Sequence, residues 1–235
     1  MRLEELFKNL GYLAASFGTQ MRDNAGAGVP LEELDLTGPA PQKISLCSAA
    51  QLVVSEGEVF RVDVDAGASG QEVLFALEDG RLGIDGGDPD TVVHVTLPAP
   101  RKLAVAGSGR MTAARLARDG KISIAGSGKL EVSSVDGGAL KVSIAGSGRL
   151  AIDGRVDELD LSIAGSGACD GEGLTAGKAS VHIAGSGDAI FACSGEVAAH
   201  LMGSGNVIVR GSARCSVHSM GSGTVTCEPL RESAE

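Results

Sequence analysis

The chain has no tryptophan and one tyrosine, and aromatic residues make up only 3% of it. That argues against a core built around aromatic side chains. It also argues against the aromatic platforms and clustered acid/base groups expected of a sugar-processing cleft. Basic charge is short as well. Twenty Lys and Arg face thirty Asp and Glu, a net charge of −10, which argues against nucleic acid as a partner. The five cysteines, at 47, 169, 193, 215 and 227, form no CxxC pair and are odd in number. They read as free, mostly buried thiols in a reducing compartment rather than a disulfide framework. No apolar run approaches the length of a membrane span. The N-terminal stretch MRLEELFKNLGYLAASFGTQM lacks the uninterrupted apolar centre of a signal peptide, so the expected location is cytoplasmic.

What the sequence does have is glycine, 35 of 235 residues, and a repeat. The triplet GSG occurs seven times in one register, beginning at Gly107, Gly126, Gly146, Gly165, Gly185, Gly203 and Gly221. The intervals are 19, 20, 19, 20, 18 and 18 residues, the range of a solenoid. Four and two positions before each triplet stand apolar residues, for example Ile122 and Ile124, or Val142 and Ile144, the one exception being Ser219 in the last coil. The position between them is Ala104, Ser123, Ser143, Ser162, His182, His200 or His218. This period of two is a strand with one buried face. A second short strand begins after each triplet, with Met111, Leu130, Leu150 and Cys169 among its first residues. Each coil therefore reads as strand, GSG corner, strand and looser turn, and the glycines permit a sharp corner.

The fold expected is all-β: a parallel β-helix, right-handed, with coils of about 19 residues and GSG corners, preceded by an amphipathic helix. Residues 1–24 carry that helix, with Leu3, Leu6, Phe7, Leu10, Leu13, Phe17 and Met21 on one face. It is expected to cap an open end of the solenoid or to contact a second subunit, in preference to lying on a membrane. Residues 25–40 read as a linker, 41–102 as an N-terminal β region of irregular first coils, 103–228 as the repeat solenoid and 229–235 as a polar tail.

The early β region, the stretch VTLPAPRKLAVAGSGRM and the GSG-punctuated coils that follow resemble the family described as "putative auto-transporter adhesin, head GIN domain", the DUF2807 group. The resemblance covers roughly residues 33–228. It implies a parallel β-helix and an adhesin-like role, with no established activity, and family members are often exported.

The candidate chemistry is sparse. The GSG serines are structural, because no GxSxG elbow is present and seven identical nucleophiles would be redundant. His182, His200 and His218 share one outward position and should stack, which raises the thought of a metal site. No cysteine or carboxylate completes a ligand set at that position, so no metal and no cofactor is expected. The cysteines fall on apolar columns. In the first three GSG coils, Lys102, Lys121 and Lys141 share one outward position, and Arg110, Lys129 and Arg149 share another. This basic stripe is the candidate contact for an anionic partner.

Three functions follow, in order of support. The first is a non-catalytic scaffold or interaction protein, adhesin-like and self-associating as a homo-oligomer or binding another protein. The second is a binding module for an anionic glycan or lipid headgroup at a membrane surface. The third and weakest is a polysaccharide-active enzyme.

Overall fold

The computed structural model describes residues 28–65, 67 and 70–228. The helix expected over 1–24 and the tail 229–235 lie outside these residues. In chain order the strands are β1 (Lys43–Leu46), β2 (Gln51–Glu56), β3 (Arg61–Asp65), β4 (Val73–Glu78), β5 (Arg81–Gly86), β6 (Val92–Leu97), β7 (Lys102–Gly107), β8 (Arg110–Ala113) and β9 (Lys121–Gly126). They continue as β10 (Lys129–Asp136), β11 (Ala139–Gly146), β12 (Arg149–Gly165), β13 (Ala168–Gly185), β14 (Asp188–Cys193), β15 (Glu196–Gly203), β16 (Asn206–Arg210), β17 (Arg214–Gly221) and β18 (Thr224–Glu228).

The strands form a two-faced parallel β-solenoid. Face 1 stacks β5, β1, β7, β9, β11, the second half of β12, the second half of β13, β15 and β17. Face 2 stacks β6, β2, β8, β10, the first halves of β12 and β13, then β14, β16 and β18. Alternation sends one set of residues inward on both faces. Ile122, Ile124, Leu130 and Val132 of one coil are buried directly beneath Val142, Ile144, Leu150 and Ile152 of the next.

The GSG triplets join the faces in one column. Their first glycines have φ between +106° and +132°. The hydrogen-bond ladder passes through the corner: Ser127, Ser147 and Ser166 each donate their backbone N–H to the first glycine of the coil before, at 2.9 Å. The serine side chains are exposed. The variation in repeat length is taken up elsewhere, at the loose turns, where the register shifts between Val132 and Val135, Ala151 and Gly154, and Gly171 and Thr175.

The region before the repeat is more regular than its sequence suggests, and its order in space differs from its order in the chain. β5 and β6 form a coil outside the one made by β1 and β2, which lies between them and β7 and β8. Antiparallel β3 and β4 flank the outermost coil. Of the segment expected as a linker, residues 28–40 lie against the body. Val29 pairs with Phe75, Leu31–Glu33 form a 3-10 turn, and Leu31, Leu34 and Leu36 pack against the core. The first coils are thereby covered by the chain's own residues.

Among the described residues, nothing covers the far end. Val217 and Met220 on the last coil are 44% and 62% exposed. Here the expectation of free thiols needs correction. Cys169 and Cys193 are buried thiols and Cys47 is a half-buried one, none of them in a disulfide, but Cys215 and Cys227 form a disulfide. Cys215 follows Val197 on face 1, and Cys227 follows Val209 on face 2. Both preceding residues are buried, so the bridge ties the two walls together across the last coil.

Candidate functional site

The outward columns of face 1 hold most of the candidate residues. The first column is basic and longer than the repeat alone indicates. Arg81, Lys43, Lys102, Lys121 and Lys141 stand in register on five successive coils. The sequence Lys43-Ile44-Ser45-Leu46 has the pattern of Lys121-Ile122-Ser123-Ile124, and that match is the signal for the added members. The run ends at Asp160, whose carboxylate lies 3.8 Å from Lys141 Nζ. Burial pushes the Lys102 ammonium below its ordinary range, and repulsion from Lys121, Arg81 and Lys43 adds to this. The column is thus a concentrated positive field on an otherwise acidic molecule.

Arg110, Lys129 and Arg149 form a second column on face 2, just past the corner. The structure does not bring the two columns into one stripe. They lie at opposite ends of the face 1 strand, separated by roughly 17 Å of extended chain.

The middle outward column ends in a histidine ladder. The rings of His182 and His200, and of His200 and His218, have centroids 5.1 Å apart, with planes 7° and 19° from parallel. Their spacing is that of the strands. Stacked in this way the ring nitrogens do not converge on one point, and no group of three or more metal-ligating side chains occurs among the described residues. Burial lowers the pKa of His182, as does its neighbour His200, while Asp160 acts in the opposite sense.

An open groove of about 510 Å³ lies beside this ladder, lined in part by Lys141, Asp160, Lys178, Ser180, His182 and Glu196. Ser180 Oγ is 3.2 Å from His182 Nε2. Asp160, one coil below Ser180, is engaged by Lys141, so the Ser–His pair is not extended into the oriented acid–base–nucleophile arrangement of a hydrolase. Asp88 Oδ1 accepts hydrogen bonds from the backbone N–H groups of Asp90 and Thr91 and from the Thr91 hydroxyl.

Comparison with known families now fixes what this architecture is. Residues 40–213 match the family described as "Putative auto-transporter adhesin, head GIN domain" (DUF2807). The chain belongs to this head GIN domain family. Solved structures agree on the fold. A head GIN domain chain superposes on a putative adhesin from Bacteroides fragilis with a TM-score of 0.70 and 17% identity, over 81% of this chain and 93% of that one. A putative lipid binding protein from Parabacteroides distasonis gives 0.59 and 20%, over 82% and 94%. A putative adhesin from the same species gives 0.60 and 18%, over 82% and 94%. No curated protein matches this head GIN domain chain.

Proposed function

We propose that the protein is a non-catalytic binding scaffold of adhesin type, engaging an anionic partner through its basic columns. The observation that carries this reading is the uninterrupted run Arg81, Lys43, Lys102, Lys121 and Lys141 on a chain of net charge −10. Cations stacked at strand spacing repel one another, and an extended polyanion relieves that repulsion along the whole run. The partner chemistry is a row of carboxylates or phosphates, as in an acidic glycan or a phospholipid surface. A relative named for lipid binding is consistent with the second source.

The test is the triple substitution Lys43→Gln, Lys121→Gln and Lys141→Gln. Binding is measured to vesicles containing phosphatidylserine and to a uronic-acid polysaccharide, at low and high salt. At about 1 kcal/mol per lysine, low-salt affinity should fall by roughly a hundredfold, and wild-type binding should weaken steeply with salt. Equal binding by both proteins sinks the reading, and the two probes separate the sources.

A second reading, self-association, is supported by the exposed Val217 and Met220 on the open last coil. Light scattering after size-exclusion chromatography tests it, with Val217→Asp expected to return any oligomer to monomer. The Cys215–Cys227 bridge supports residence in an oxidising compartment, in keeping with an exported adhesin.

A further inference from the structure

The last two coils of face 1 depart from the others in two outward columns at once. In the middle column Ala104, Ser123, Ser143 and Ser162 give way to His182, His200 and His218. Two residues nearer the corner, the column reads Ala106, Ala125, Ala145, Ala164 and Ala184, and then Met202 and Met220. β15 and β17 therefore each carry the pattern His-x-Met, with His200 paired to His218 and Met202 to Met220. Ala199 and Leu201 are buried in the core, so alternation sends His200 and Met202 out of the same side of the sheet, and the shared register does the same for His218 and Met220. Met220 is 62% exposed. Where the earlier coils carry alanine, an exposed methionine adds nothing to the core, and its thioether is left available for other chemistry.

The four side chains spring from the corners of a small rectangle. One edge is the strand spacing, about 4.8 Å, and the other is two residues of strand, about 6.7 Å. Imidazole and thioether are both long enough to lean over its centre. The donors would be two ring nitrogens and two sulfurs, all uncharged. Thioether sulfur is a soft ligand, suited to Cu⁺ and its congener Ag⁺ and not to Mg²⁺ or Ca²⁺. No carboxylate or thiolate joins the histidines to balance a divalent charge, since no cluster of three His, Cys, Asp or Glu occurs among the described residues. A neutral donor set instead suits a monovalent cation. His182 stands apart from this set: the residue beside it toward the corner is Ala184, and Ser180 Oγ lies 3.2 Å from its Nε2.

We propose that His200, Met202, His218 and Met220 form a site for one soft monovalent cation, Cu⁺ or Ag⁺. Binding turns the two rings out of their stack, whose centroids are 5.1 Å apart, so that one nitrogen of each faces the metal. The site would join the last coil to the one before it through side chains as well as backbone. It does not depend on the anionic-partner reading.

The test follows isotope-labelled methionine methyl groups and histidine ring protons of the full chain by NMR as Ag⁺ is added. No reductant is used, which keeps the Cys215–Cys227 bridge. Each signal reports its own residue, so uptake of Ag⁺ by thiols does not enter the readout. The methyls of Met202 and Met220 and the rings of His200 and His218 should shift and saturate together, while Met111, buried in the core, stays in place. Zn²⁺ should leave the methyls unmoved. Met202→Ala with Met220→Ala restores the residue of the earlier coils and should abolish the ring shifts at the Ag⁺ concentration that saturates the wild type. His200→Ser with His218→Ser, the residue at Ser143 and Ser162, should abolish the methyl shifts. Methyls that never move with Ag⁺ overturn the proposal. Methyl shifts that survive loss of both histidines also overturn it, as do ring shifts that survive loss of both methionines, or methyls moved equally by Zn²⁺. If a double variant loses its β-sheet circular dichroism, Met220→Ala and His218→Ser alone decide by the same criteria.

Discussion

Gly146 shows why the corner is written in glycine. Its φ is +111°, and a Cβ placed there would sit 2.5 Å from the carbonyl oxygen of Gly126 in the coil before. Backbone strain and the stacked carbonyl therefore select the same residue. Gly146→Val should destabilise by about 3–5 kcal/mol, strain plus disrupted stacking, while Ser147→Val at the exposed middle of the corner stays within about 0.5 kcal/mol. Denaturant midpoints of the two variants check this. His182 offers a second test at the same scale. Burial and His200 depress its folded pKa below 6.5, so between that folded value and 6.5 the unfolded chain binds more protons. Stability must then fall as pH drops through this window and recover above it. His182→Ser, the residue found one coil below at Ser162, should flatten the pH dependence of the melting temperature between pH 5 and 8. An unchanged slope would show that another group is responsible. Both features were legible in the sequence, because a fixed register from each GSG places glycine on glycine and imidazole on imidazole.

At the scale of elements, the last coil is the informative one. β17 and β18 carry mostly exposed residues and, among the described residues, pair on one side only, with β15 and β16. The disulfide between them closes a short loop, an effect of about 3 kcal/mol in the chain-entropy account. Reduction should therefore release residues 214–228 to hydrogen exchange and leave β9 to β13 protected. Equal protection with and without reductant would mean that backbone pairing alone holds the coil. Cysteine number and spacing could not reveal this bridge, since neither motif nor parity marks it. The signal was positional: Cys215 and Cys227 stand six residues before and six after Gly221, opposite each other across one corner. The first coils were hidden for a different reason. Their corners are Ser48-Ala49-Ala50 and a turn at Gly86-Gly87 rather than GSG, and β5 and β6 are stacked outside β1 and β2 by long-range pairing. Lys43 and Arg81 consequently escaped the sequence-derived stripe.

For the whole molecule, the solenoid turns a sequence period into long chemical columns. One end is covered by β3, β4 and residues 28–40, and among the described residues nothing covers the other, so the described solenoid is polar along its axis. Basic residues gather toward the covered end and histidines toward the open one. If function resides in the columns, the order of charge along the axis must matter more than its total. The pair of substitutions Lys121→Asp and Asp160→Lys tests this directly, because it preserves the net charge of −10 and the composition while breaking the run of five. Binding to phosphatidylserine vesicles and to a uronic-acid polysaccharide is then measured at low salt, with melting temperature as the control for folding. The column account predicts affinity reduced roughly tenfold, about 1.4 kcal/mol, for whichever probe the wild type binds. Affinity equal to that of the wild type, in a protein that melts normally, would contradict it.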